Sequence, residues 1–430
     1  MQVIAYNIIH IMQVATYINL VFCRLQPTIY YLCTMENLRN KYLRLLNSID
    51  LTPKRFLYDK IIWDDRLIIL KGQRGTGKTT LILQYIKSHF PDLSQTLYIS
   101  LDDIYFSKNT ISGVVDEFVK DDGKYLFLDE VHRYKNWSQE IKNIYDFYPG
   151  LKLVITGSSA IDFYINSSDL GRRASVYTLP ELSFREYLNF VHKKNFRPYS
   201  LDDIVKEPEQ ISIPINQEIK SIKLFHQYLM NGAYPFILHN ESKFYEKLEA
   251  IINTVIDNDI PAVDNIQYET QLKLKKLLLV LASTSPFKVN ISELSRKLMV
   301  TRDVLIKYLH LLSKGGVITL LSTDGIGHTI IQKPDKIYFS NTNIIYAISS
   351  DFNIGTIRET FFLNQVSSIY DVKYPKAGDF FVDGKYTFEI GGKNKTSRQI
   401  AHLENSFLVL DNIEYGYRNK IPLWLFGFLY

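Results

Sequence analysis

One short stretch of this 430-residue chain constrains its fold more than any other. It reads LIILKGQRGTGKTTLILQYI and runs from Leu67 to Ile86. An apolar, strand-like run leads into a glycine-rich loop, and apolar residues at helical spacing follow it. The residues from Gly72 to Thr79 match the pattern G-x-x-x-x-G-K-[ST] in full, between the strand and the helix that this phosphate-binding loop requires. The stretch therefore predicts an α/β fold with a nucleotide bound at the loop.

The residue types in this loop follow from the demands of phosphate binding. Phosphate oxygens approach the backbone closely, and glycine adopts the required backbone conformations with the least strain. Successive N–H groups then face the phosphates, and the N-terminus of the next helix adds partial positive charge. We expect Lys78 to reach the β- and γ-phosphates, and the Thr79 hydroxyl to bind Mg²⁺. The residues predicted to contact the nucleotide are Gly72, Gln73, Arg74, Gly75, Thr76, Gly77, Lys78, Thr79 and Thr80.

Further apolar runs recur through the region from Pro53 to about Tyr187. The runs RLIIL, TLYISL, KYLFLD and LKLVIT are short and apolar nearly throughout, as strands buried on both faces of a parallel sheet are. Helical segments such as TTLILQYIKSHF and WSQEIKNIYDFY lie between them. This alternation predicts an α/β sandwich around a parallel sheet, as in P-loop NTPases.

An acidic pair follows one of these predicted strands. The run KYLFLD ends in Asp129, and Glu130 comes next, about 50 residues after the loop. Carboxylates at the end of a parallel strand project into the crevice where α/β folds bind ligands. We expect Asp129 to hold Mg²⁺ through water, and Glu130 to orient and deprotonate the attacking water. The alternative is a solvated strand end.

Two further groups of residues complete the predicted site. The strand LKLVIT offers the hydroxyls of Thr156, Ser158 and Ser159 at its end, and Ser158 is the first candidate for sensing the γ-phosphate. The alternative is a helix cap, a position that serine and threonine favour. Downstream, Arg172 and Arg173 stand together, and an arginine near the γ-phosphate stabilises transition-state charge. This pair would act within the chain or across a subunit boundary, unless it only forms a solvated surface.

The middle of the chain resembles a known family. The run LFLDEVHRYKNWSQEIKNIYDFYPGLKLVITGSSA, then GRRASVYTLPELSFREYL and then NGAYPF, is similar to prokaryotic AAA-type ATPases that carry a restriction-nuclease-like C-terminal domain. The resemblance covers residues from about 36 to 430 and implies ATP as the nucleotide. In agreement, the chain contains no N-K-x-D tetrapeptide, the motif that reads guanine. The family is mostly uncharacterised, so the resemblance implies no biological role.

Changes in character along the chain predict five segments. They are a doubtful leader at 1–34, an AAA-like ATPase core at 35–190, a helical lid or connector at 191–265, a winged-helix domain at 266–335 and a restriction-nuclease-like α+β domain at 336–430. Within the connector, the run YEKLEAIINTVIDNDI predicts one clear helix.

The leader differs from the rest of the chain. Its apolar run carries no charge before Arg24, but polar residues interrupt it and no basic segment precedes it. We prefer a translation start at Met35 to a membrane anchor or signal peptide. The two cysteines, Cys23 and Cys33, both lie in this leader, so the remaining chain offers no disulfide or zinc cluster. This composition predicts a cytoplasmic protein with no membrane contact unless the leader is real.

The segment NISELSRKLMVTRDVLIKYLHLLSKGGVI predicts a helix, a tight turn and a second helix. Asn290 would cap the first helix, and Gly315-Gly316 would end the second. A β-rich hairpin follows and would serve as a wing, with Arg302 and Lys307 facing DNA phosphates or bases. Double-stranded DNA is therefore a candidate partner, although the mild net charge of +5 does not by itself indicate nucleic-acid binding. A module that contacts a protein is the alternative, and a homo-oligomer is a further candidate assembly.

Three carboxylates mark the C-terminal segment. Glu359 falls on a predicted helix, and Asp379 and Glu389 fall on two strands of a hairpin that turns near Asp383-Gly384. This set resembles the carboxylates with which restriction-type nucleases hold Mg²⁺ and activate water. It predicts a second candidate metal site.

Two features of the same segment weigh against nuclease activity. Gly391 stands where such enzymes usually carry lysine, and Lys393 is the nearest lysine in sequence. A two-residue turn would also pair Asp379 with Phe388, and Glu389 would then point to the other face of the sheet. Only a bulge or an odd-length loop would place both carboxylates on one face.

Together these features predict a cytoplasmic, Mg-dependent, ATP-binding and ATP-hydrolysing AAA-like protein. It would couple its nucleotide state to a winged-helix and nuclease-like module. The alternatives are a non-hydrolysing nucleotide switch that regulates DNA or a partner, an ATP-driven DNA nuclease of a defence or mobile-element system, and a small-molecule kinase.

Overall fold

The computed structural model describes residues 35–158, 170–239, 241–283, 290–326 and 333–430. The predicted leader and Ser159 lie outside these ranges. Across the described residues, no helix combines the length and the apolar character needed to cross a bilayer.

A five-stranded parallel sheet organises the first part of the chain. Its strands are β1 (Leu67–Lys71), β2 (Thr96–Ser100), β3 (Tyr125–Asp129), β4 (Lys152–Gly157) and β5 (Ser175–Thr178). Their order in the sheet is β2-β3-β4-β1-β5. The four apolar runs of the sequence form β1 to β4, so this prediction is confirmed. The pattern did not reveal β5, because this edge strand exposes alternate residues to solvent.

Helices pack on this sheet through apolar side chains. They are α1 (Met35–Ser48), α2 (Lys78–His89), α3 (Ile111–Lys120) and α4 (Trp137–Phe147). Their buried residues and those of the strands form one cluster that extends from Leu38 to Leu179. The α/β sandwich that the sequence predicts is therefore present.

The register of the sheet places three loops at one edge. Ile155 of β4 lies between Ile69 of β1 and Leu128 of β3. Because the strands are parallel, the residues after β1, β3 and β4 leave the sheet at the same end. These residues are the phosphate-loop sequence, the acidic pair and Ser158.

A helical region follows the sheet. Its helices are α5 (Phe184–Val191), α6 (Leu201–Lys206), α7 (Pro208–Glu218), α8 (Ser221–Asn231), α9 (Phe244–Thr254) and α10 (Ile260–Val263). The run predicted as a single helix comprises α9, a π-helical turn at Val255–Asp259, and α10. Single π-helical turns within helices are frequent at functional sites, and this turn carries Asp259.

Three helices and a small sheet come next. The elements are α11 (Tyr268–Ser283), α12 (Ile291–Leu298), α13 (Arg302–Lys314), β6 (Ile318–Ser322), β7 (Gly325–Ile326) and β8 (Lys336–Phe339). The side chain of Asn290 accepts a hydrogen bond from the Glu293 N–H, and Gly315 caps the C-terminus of α13, as predicted. The three strands are antiparallel in the order β7-β6-β8.

The last part of the chain is a mixed sheet with helices beside it. Its elements are α14 (Thr342–Ile348), α15 (Ile354–Ser367), β9 (Val372–Lys373), β10 (Phe380–Val382), β11 (Tyr386–Gly391), β12 (Ser406–Leu410) and β13 (Lys420–Pro422). The order is β13-β12-β11-β10-β9, antiparallel from β9 to β11 and parallel from β11 to β13.

The hairpin between β10 and β11 has a three-residue loop. Val382 pairs with Tyr386, and Asp383 and Gly384 both adopt left-handed backbone conformations. This odd length pairs Phe380 with Phe388, so that the residues just outside that pair are Asp379 and Glu389. The structure thus selects the odd-length alternative of the sequence analysis.

One apolar cluster joins most of the described elements after the parallel sheet, and a small separate cluster contains Ile400, Leu408 and Leu410. The larger cluster extends from Phe184 to Tyr430 and includes residues of the helical region, the small antiparallel sheet and the C-terminal mixed sheet. Motion of any of these parts relative to the others would expose buried apolar surface, which is costly in water.

Candidate nucleotide-binding site

The loop after β1 has the geometry of a phosphate-binding loop. At Gly72 a Cβ atom would lie 2.3 Å from the Leu179 carbonyl oxygen, so a side chain cannot fit there. Gly77 has a φ of 93° at the start of α2, a conformation that glycine adopts without strain. The glycine positions of the motif are therefore required by packing and by backbone geometry.

Lys78 extends back along this loop. Its Nζ donates hydrogen bonds to the carbonyl oxygens of Gly72 at 2.9 Å and Gln73 at 3.0 Å. Burial lowers the pKa of Lys78, and the charges of Glu130 and Asp129 act in the opposite direction. Within the described part of the chain, the hydrogen bonds of this ammonium group go to backbone oxygens. Phosphate oxygens would be stronger partners, because they carry charge.

Thr79 and Asp129 meet beside the loop. The Thr79 hydroxyl donates to Asp129 Oδ2 at 2.5 Å, and the Tyr98 hydroxyl donates to the same oxygen at 2.7 Å. The Thr156 hydroxyl donates to the other carboxylate oxygen. A hydroxyl and a carboxylate are oxygen ligands of the kind that Mg²⁺ prefers. The residues predicted to hold the ion therefore fit it chemically.

Glu130 occupies an unusual backbone conformation. Its φ and ψ of 55° and 40° are left-handed, and its N–H donates to Thr156 Oγ1 at 3.2 Å. Strained backbone of this kind clusters at functional sites. Among the residues that the structure describes, no hydrogen-bond partner satisfies its buried Oε2. This oxygen faces two cationic or polar groups instead, Arg74 Nη2 at 3.4 Å and His132 Nε2 at 3.4 Å.

Sequence reasoning missed two members of this cluster. His132 follows Glu130 by two residues, and Asp259 lies on the π-helical turn after α9. Asp259 accepts hydrogen bonds from Arg74 and lies 3.4 Å from His132 Nε2. Burial alone would raise the pKa of Asp259, but hydrogen bonds from His132 and Arg74 lower it below the ordinary value. Of these two residues, only His132 could have been suspected from the sequence, because it lies close to the acidic pair.

Ser158 lies where the sequence placed it, at the end of β4. Its backbone N–H donates to His132 Nδ1 at 3.3 Å. Its hydroxyl oxygen is buried and has no hydrogen-bond partner within the described part of the chain. A buried, unsatisfied hydroxyl beside the loop is consistent with the predicted phosphate-sensing role.

The structure places Arg172 and Arg173 at the opposite edge of the sheet. They precede β5, whose first residue Ser175 pairs with Ile68, and the phosphate loop follows the other end of β1. Strand rise alone separates the two edges by roughly 15 Å. Arg173 Nε forms an ion pair with Asp146 at 3.2 Å. This placement leaves the pair remote from the loop of its own chain.

A third residue that sequence reasoning missed connects the loop to α5. Arg55 donates to the Thr76 carbonyl oxygen and, at 3.0 and 3.1 Å, to the carboxylate of Glu186. All three residues are buried. Tyr234, in the motif NGAYPF, contacts the loop from the other side by donating to Gln73 Oε1 at 3.1 Å. Residues that precede β1 in the chain and residues that follow β5 therefore both hold the loop in place.

The helix α13 exposes little of its surface. Arg302 and Lys307 are both exposed, and Lys307 forms an ion pair with Asp264 at 3.3 Å. The stretch from Tyr308 to Leu312 is buried throughout. The surface that this helix offers to a partner is therefore confined to its first turns.

The three C-terminal carboxylates come together, but lysines reach them. Lys336 Nζ, from β8, lies 3.1 Å from Glu359 Oε2 and 3.4 Å from Asp379 Oδ1. Lys395, two residues beyond the lysine noted in the sequence, contacts Glu389 Oε1 at 2.5 Å. Burial, and next the charge of Asp379, raise the pKa of Glu359. Lys336 was not recognised from the sequence.

These lysines change the character of the predicted second metal site. Over the described ranges, no group of three His, Cys, Asp or Glu side chains is arranged to hold a metal ion. The physical reason is that the ammonium of Lys336 lies between two of the carboxylates and supplies the positive charge itself. This arrangement is a compensated ion-pair cluster and not the open carboxylate set of the prediction.

Residues 64–188 match the family described as AAA domain. This segment has an AAA-type P-loop fold. A second family, described as a domain of unknown function (DUF8612), matches residues 222–354 and so includes Asp259 and Lys336.

Relatives from Methanocaldococcus jannaschii align with most of the chain. The uncharacterized protein MJ1637 is 27% identical over an alignment that covers 83% of this chain and 86% of the relative. The uncharacterized protein MJ1544 is 23% identical and covers 84% of each chain. Neither name states an activity.

Solved structures resemble the chain only weakly as a whole. AMPPCP-bound DnaA from Aquifex aeolicus is 16% identical, with a TM-score of 0.25, and the match covers 60% of this chain and 84% of DnaA. A RuvB structure from Thermotoga maritima is 15% identical, with a TM-score of 0.29, and covers 68% of this chain and 91% of RuvB. Similarity at this level does not bear on the activity of the chain.

Proposed function

We propose that this protein binds Mg-ATP at the loop Gly72–Thr80 and hydrolyses it. The observation that carries the proposal is the convergence of Lys78, Thr79, Asp129 and Glu130 at one edge of a parallel sheet. Lys78 is held by loop carbonyls, and Thr79 and Asp129 already touch. Glu130 has a buried carboxylate oxygen that no described residue satisfies with a hydrogen bond. These are the parts that phosphoryl transfer to water requires.

Each residue has a distinct role in this proposal. The loop N–H groups and Lys78 bind the phosphates, and Ser158 contacts the γ-phosphate. Thr79 and Asp129 would hold Mg²⁺, which would neutralise phosphate charge. Glu130 orients a water molecule and accepts its proton as the water oxygen bonds to the γ-phosphorus. The bond from that phosphorus to the ADP oxygen breaks, so the products are ADP and phosphate.

The position of Arg172 and Arg173 favours a contact across a subunit boundary over a contact within their own chain. They lie far from the loop of their own chain, so any contact with a γ-phosphate would involve the site of a second copy. A homo-oligomer would supply such a site. An Arg172→Ala/Arg173→Ala protein that hydrolyses ATP as the wild type does at every protein concentration would remove this role.

Phosphate release from Mg-ATP tests the proposed function. The wild type should release phosphate without any added acceptor, which separates an ATPase from a small-molecule kinase. Lys78→Ala should reduce release by about 10²–10³-fold, because it removes a charged donor from the phosphates. Tight ATP binding without release would support the alternative of a non-hydrolysing switch.

The segments after the ATPase core are proposed to respond to the nucleotide. The helices α11–α13 with strands β6–β8 have the order of a winged helix, and Arg302 is exposed at the start of α13. Contact with double-stranded DNA would then involve this helix end. A gel-shift salt titration with Arg302→Ala and wild type measures that contact, and equal affinities would argue for a protein-contact module instead.

We propose that the C-terminal mixed sheet has a nuclease-like fold, and that ion pairs with lysine block its carboxylates from binding a metal ion. Lys336 compensates Glu359 and Asp379, so cleavage would require this lysine to leave the cluster. Plasmid nicking with Mg²⁺ or Mn²⁺ is the measurement. Wild type should not nick, whereas metal-dependent nicking that Glu389→Ala abolishes would support the ATP-driven nuclease alternative.

A further inference from the structure

Arg74 is a residue of the phosphate loop. Its side chain is bound by Asp259, which lies outside the residues 64–188 that match the AAA domain family. Its Nε donates to Asp259 Oδ2 at 2.8 Å, and its Nη2 donates to Asp259 Oδ1 at 3.0 Å. Two parallel hydrogen bonds of this kind fix both the position and the plane of a guanidinium group. Asp259 is 1% exposed, so the pair is screened little by solvent.

The same guanidinium faces the candidate general base. Arg74 Nη2 lies 3.4 Å from Glu130 Oε2 and 3.5 Å from His132 Nε2. His132 Nε2 in turn lies 3.4 Å from both Glu130 Oε2 and Asp259 Oδ1. Since His132 Nδ1 accepts from the Ser158 N–H, Nε2 carries the proton of the neutral ring and can donate to either carboxylate.

The location of Arg74 relative to the phosphates follows from its position in the loop. Lys78 Nζ donates to the carbonyl oxygen of Gln73, the residue just before Arg74. The ammonium of this lysine binds the β- and γ-phosphates in loops of this type, and Arg74 Nη2 lies 3.4 Å from Glu130 Oε2. Arg74 therefore connects the phosphate loop to the candidate general base.

We propose that Arg74 is a catalytic residue that contacts the γ-phosphate during hydrolysis, and that Asp259 and His132 are its positioning residues. This inference rests on the proposed ATPase function. Phosphate oxygens at the loop compete with Glu130 for Arg74 Nη2, because they carry more charge than one carboxylate oxygen. When a phosphate oxygen accepts the second N–H of Nη2, Glu130 becomes free to accept a proton from water, while Asp259 keeps its hydrogen bonds to Nε and Nη2.

The proposal links hydrolysis to a distant part of the chain. Asp259 follows Arg74 by 185 residues and lies on the π-helical turn between α9 and α10. The adjoining Gly315, at the end of α13, packs so closely on Val255 and Ile260 that a Cβ there would lie 2.7 Å from Val255. A partner that shifts α13 would therefore shift Asp259, and with it Arg74.

Steady-state kinetics of full-length variants test this inference. Arg74→Ala should lower kcat by about 10²–10³-fold, because the lost donor stabilises charge that develops in the transition state. Binding of a fluorescent ATP analogue should change by less than about threefold, since the loop N–H groups and Lys78 remain. Arg74→Lys should recover part of kcat, because it restores the charge without the planar two-pronged contact.

Asp259→Asn tests the positioning role. It should lower kcat by about tenfold or more and leave KM nearly unchanged, because a misplaced guanidinium costs rate more than ground-state binding. The double variant Arg74→Ala/Asp259→Asn should be no slower than Arg74→Ala alone, since Asp259 acts through Arg74. Additive losses in kcat would overturn the positioning role.

Asp257 provides a matched control on the same π-helical turn. It pairs with Lys275 at 2.7 Å and is partly exposed. Asp257→Asn removes an ion pair from that turn without a contact to the loop, so it should hydrolyse ATP as the wild type does. A wild-type rate in Arg74→Ala would overturn the inference and leave the proposed function intact. A wild type that releases no phosphate would overturn both.

Discussion

Two regions of this molecule bring a lysine and carboxylates close together, with opposite results. At the phosphate loop, Lys78 is held by backbone carbonyl oxygens and not by Asp129 or Glu130. In the C-terminal cluster, Lys336 contacts Glu359 and Asp379 directly. The residue types are the same, and only the partners of the lysine differ.

The lysine pKa values express this difference. Burial lowers the pKa of Lys78 below its ordinary value. Burial would do the same to Lys336, but the charges of Glu359 and Asp379 raise the pKa of Lys336 above the ordinary value. The ammonium of Lys78 can therefore pair with a phosphate ligand, whereas the charge of Lys336 is already paired with two carboxylates. Changes at the first cluster should therefore affect chemistry, and changes at the second should affect stability.

Glu130→Gln should produce the largest effect on chemistry. Turnover should fall by about 10²–10⁴-fold because the amide cannot accept the proton of water. ATP affinity should be retained or increase, since the phosphate contacts remain and a negative charge is lost. Glu404→Gln, at an exposed position, is the control. Single-turnover phosphate release makes the comparison, and unchanged turnover would remove Glu130 from the mechanism.

Lys336→Met should produce the largest effect on stability. It leaves Glu359 and Asp379 close together without a countercharge, and breaking a buried pair in this way costs about 3–5 kcal/mol. Urea unfolding at neutral pH measures the loss in free energy of unfolding. The exposed Lys333 serves as a control, and Lys333→Met should unfold as the wild type does. Equal stability of the two variants would show that the cluster is not an ion-pair network.

The buried Glu181 should show a smaller, pH-dependent effect. Burial raises the pKa of Glu181, although hydrogen bonds from Asn341 and Asn364 and the charge of Arg55 oppose the shift. The folded state thus holds this proton more tightly than the unfolded state. Its stabilising contribution is present below the unfolded pKa of about 4.3 and is lost as pH rises through the folded pKa.

Replacement of Glu181 by glutamine should remove this pH dependence. The free energy of unfolding of Glu181→Gln should rise relative to that of the wild type as the pH increases from about 4 towards neutrality. Urea unfolding over that pH series tests the sign. A difference that shrinks or stays constant with rising pH would contradict the raised pKa of Glu181.

The contrast between the two regions also explains what the sequence could reveal. The loop Gly72–Thr80 and the pair Asp129–Glu130 are local patterns beside apolar strands, and strand register brings them together without any further information. The same is true of Ser158. Their positions were therefore predictable from spacing and hydrophobicity alone.

The remaining parts of both clusters depend on contacts between distant segments. Asp259 contacts Arg74 from a π-helical turn, and Lys336 of β8 contacts Glu359 of α15. The periodicity of the sequence does not predict such pairs, because each of these charged side chains, taken alone, is typical of an exposed position. The hairpin register depended on whether its loop has two or three residues, and Asp383-Gly384 is compatible with both.

Isothermal titration calorimetry of Mg-ATP with wild type and Lys78→Ala tests the central claim most directly. That claim is that the loop N–H groups and the ammonium of Lys78 bind the phosphates. The account predicts saturable heat with one site per chain for the wild type, and a loss of about 10²-fold or more in affinity for Lys78→Ala. No heat with the wild type, or equal affinities of the two proteins, would contradict it.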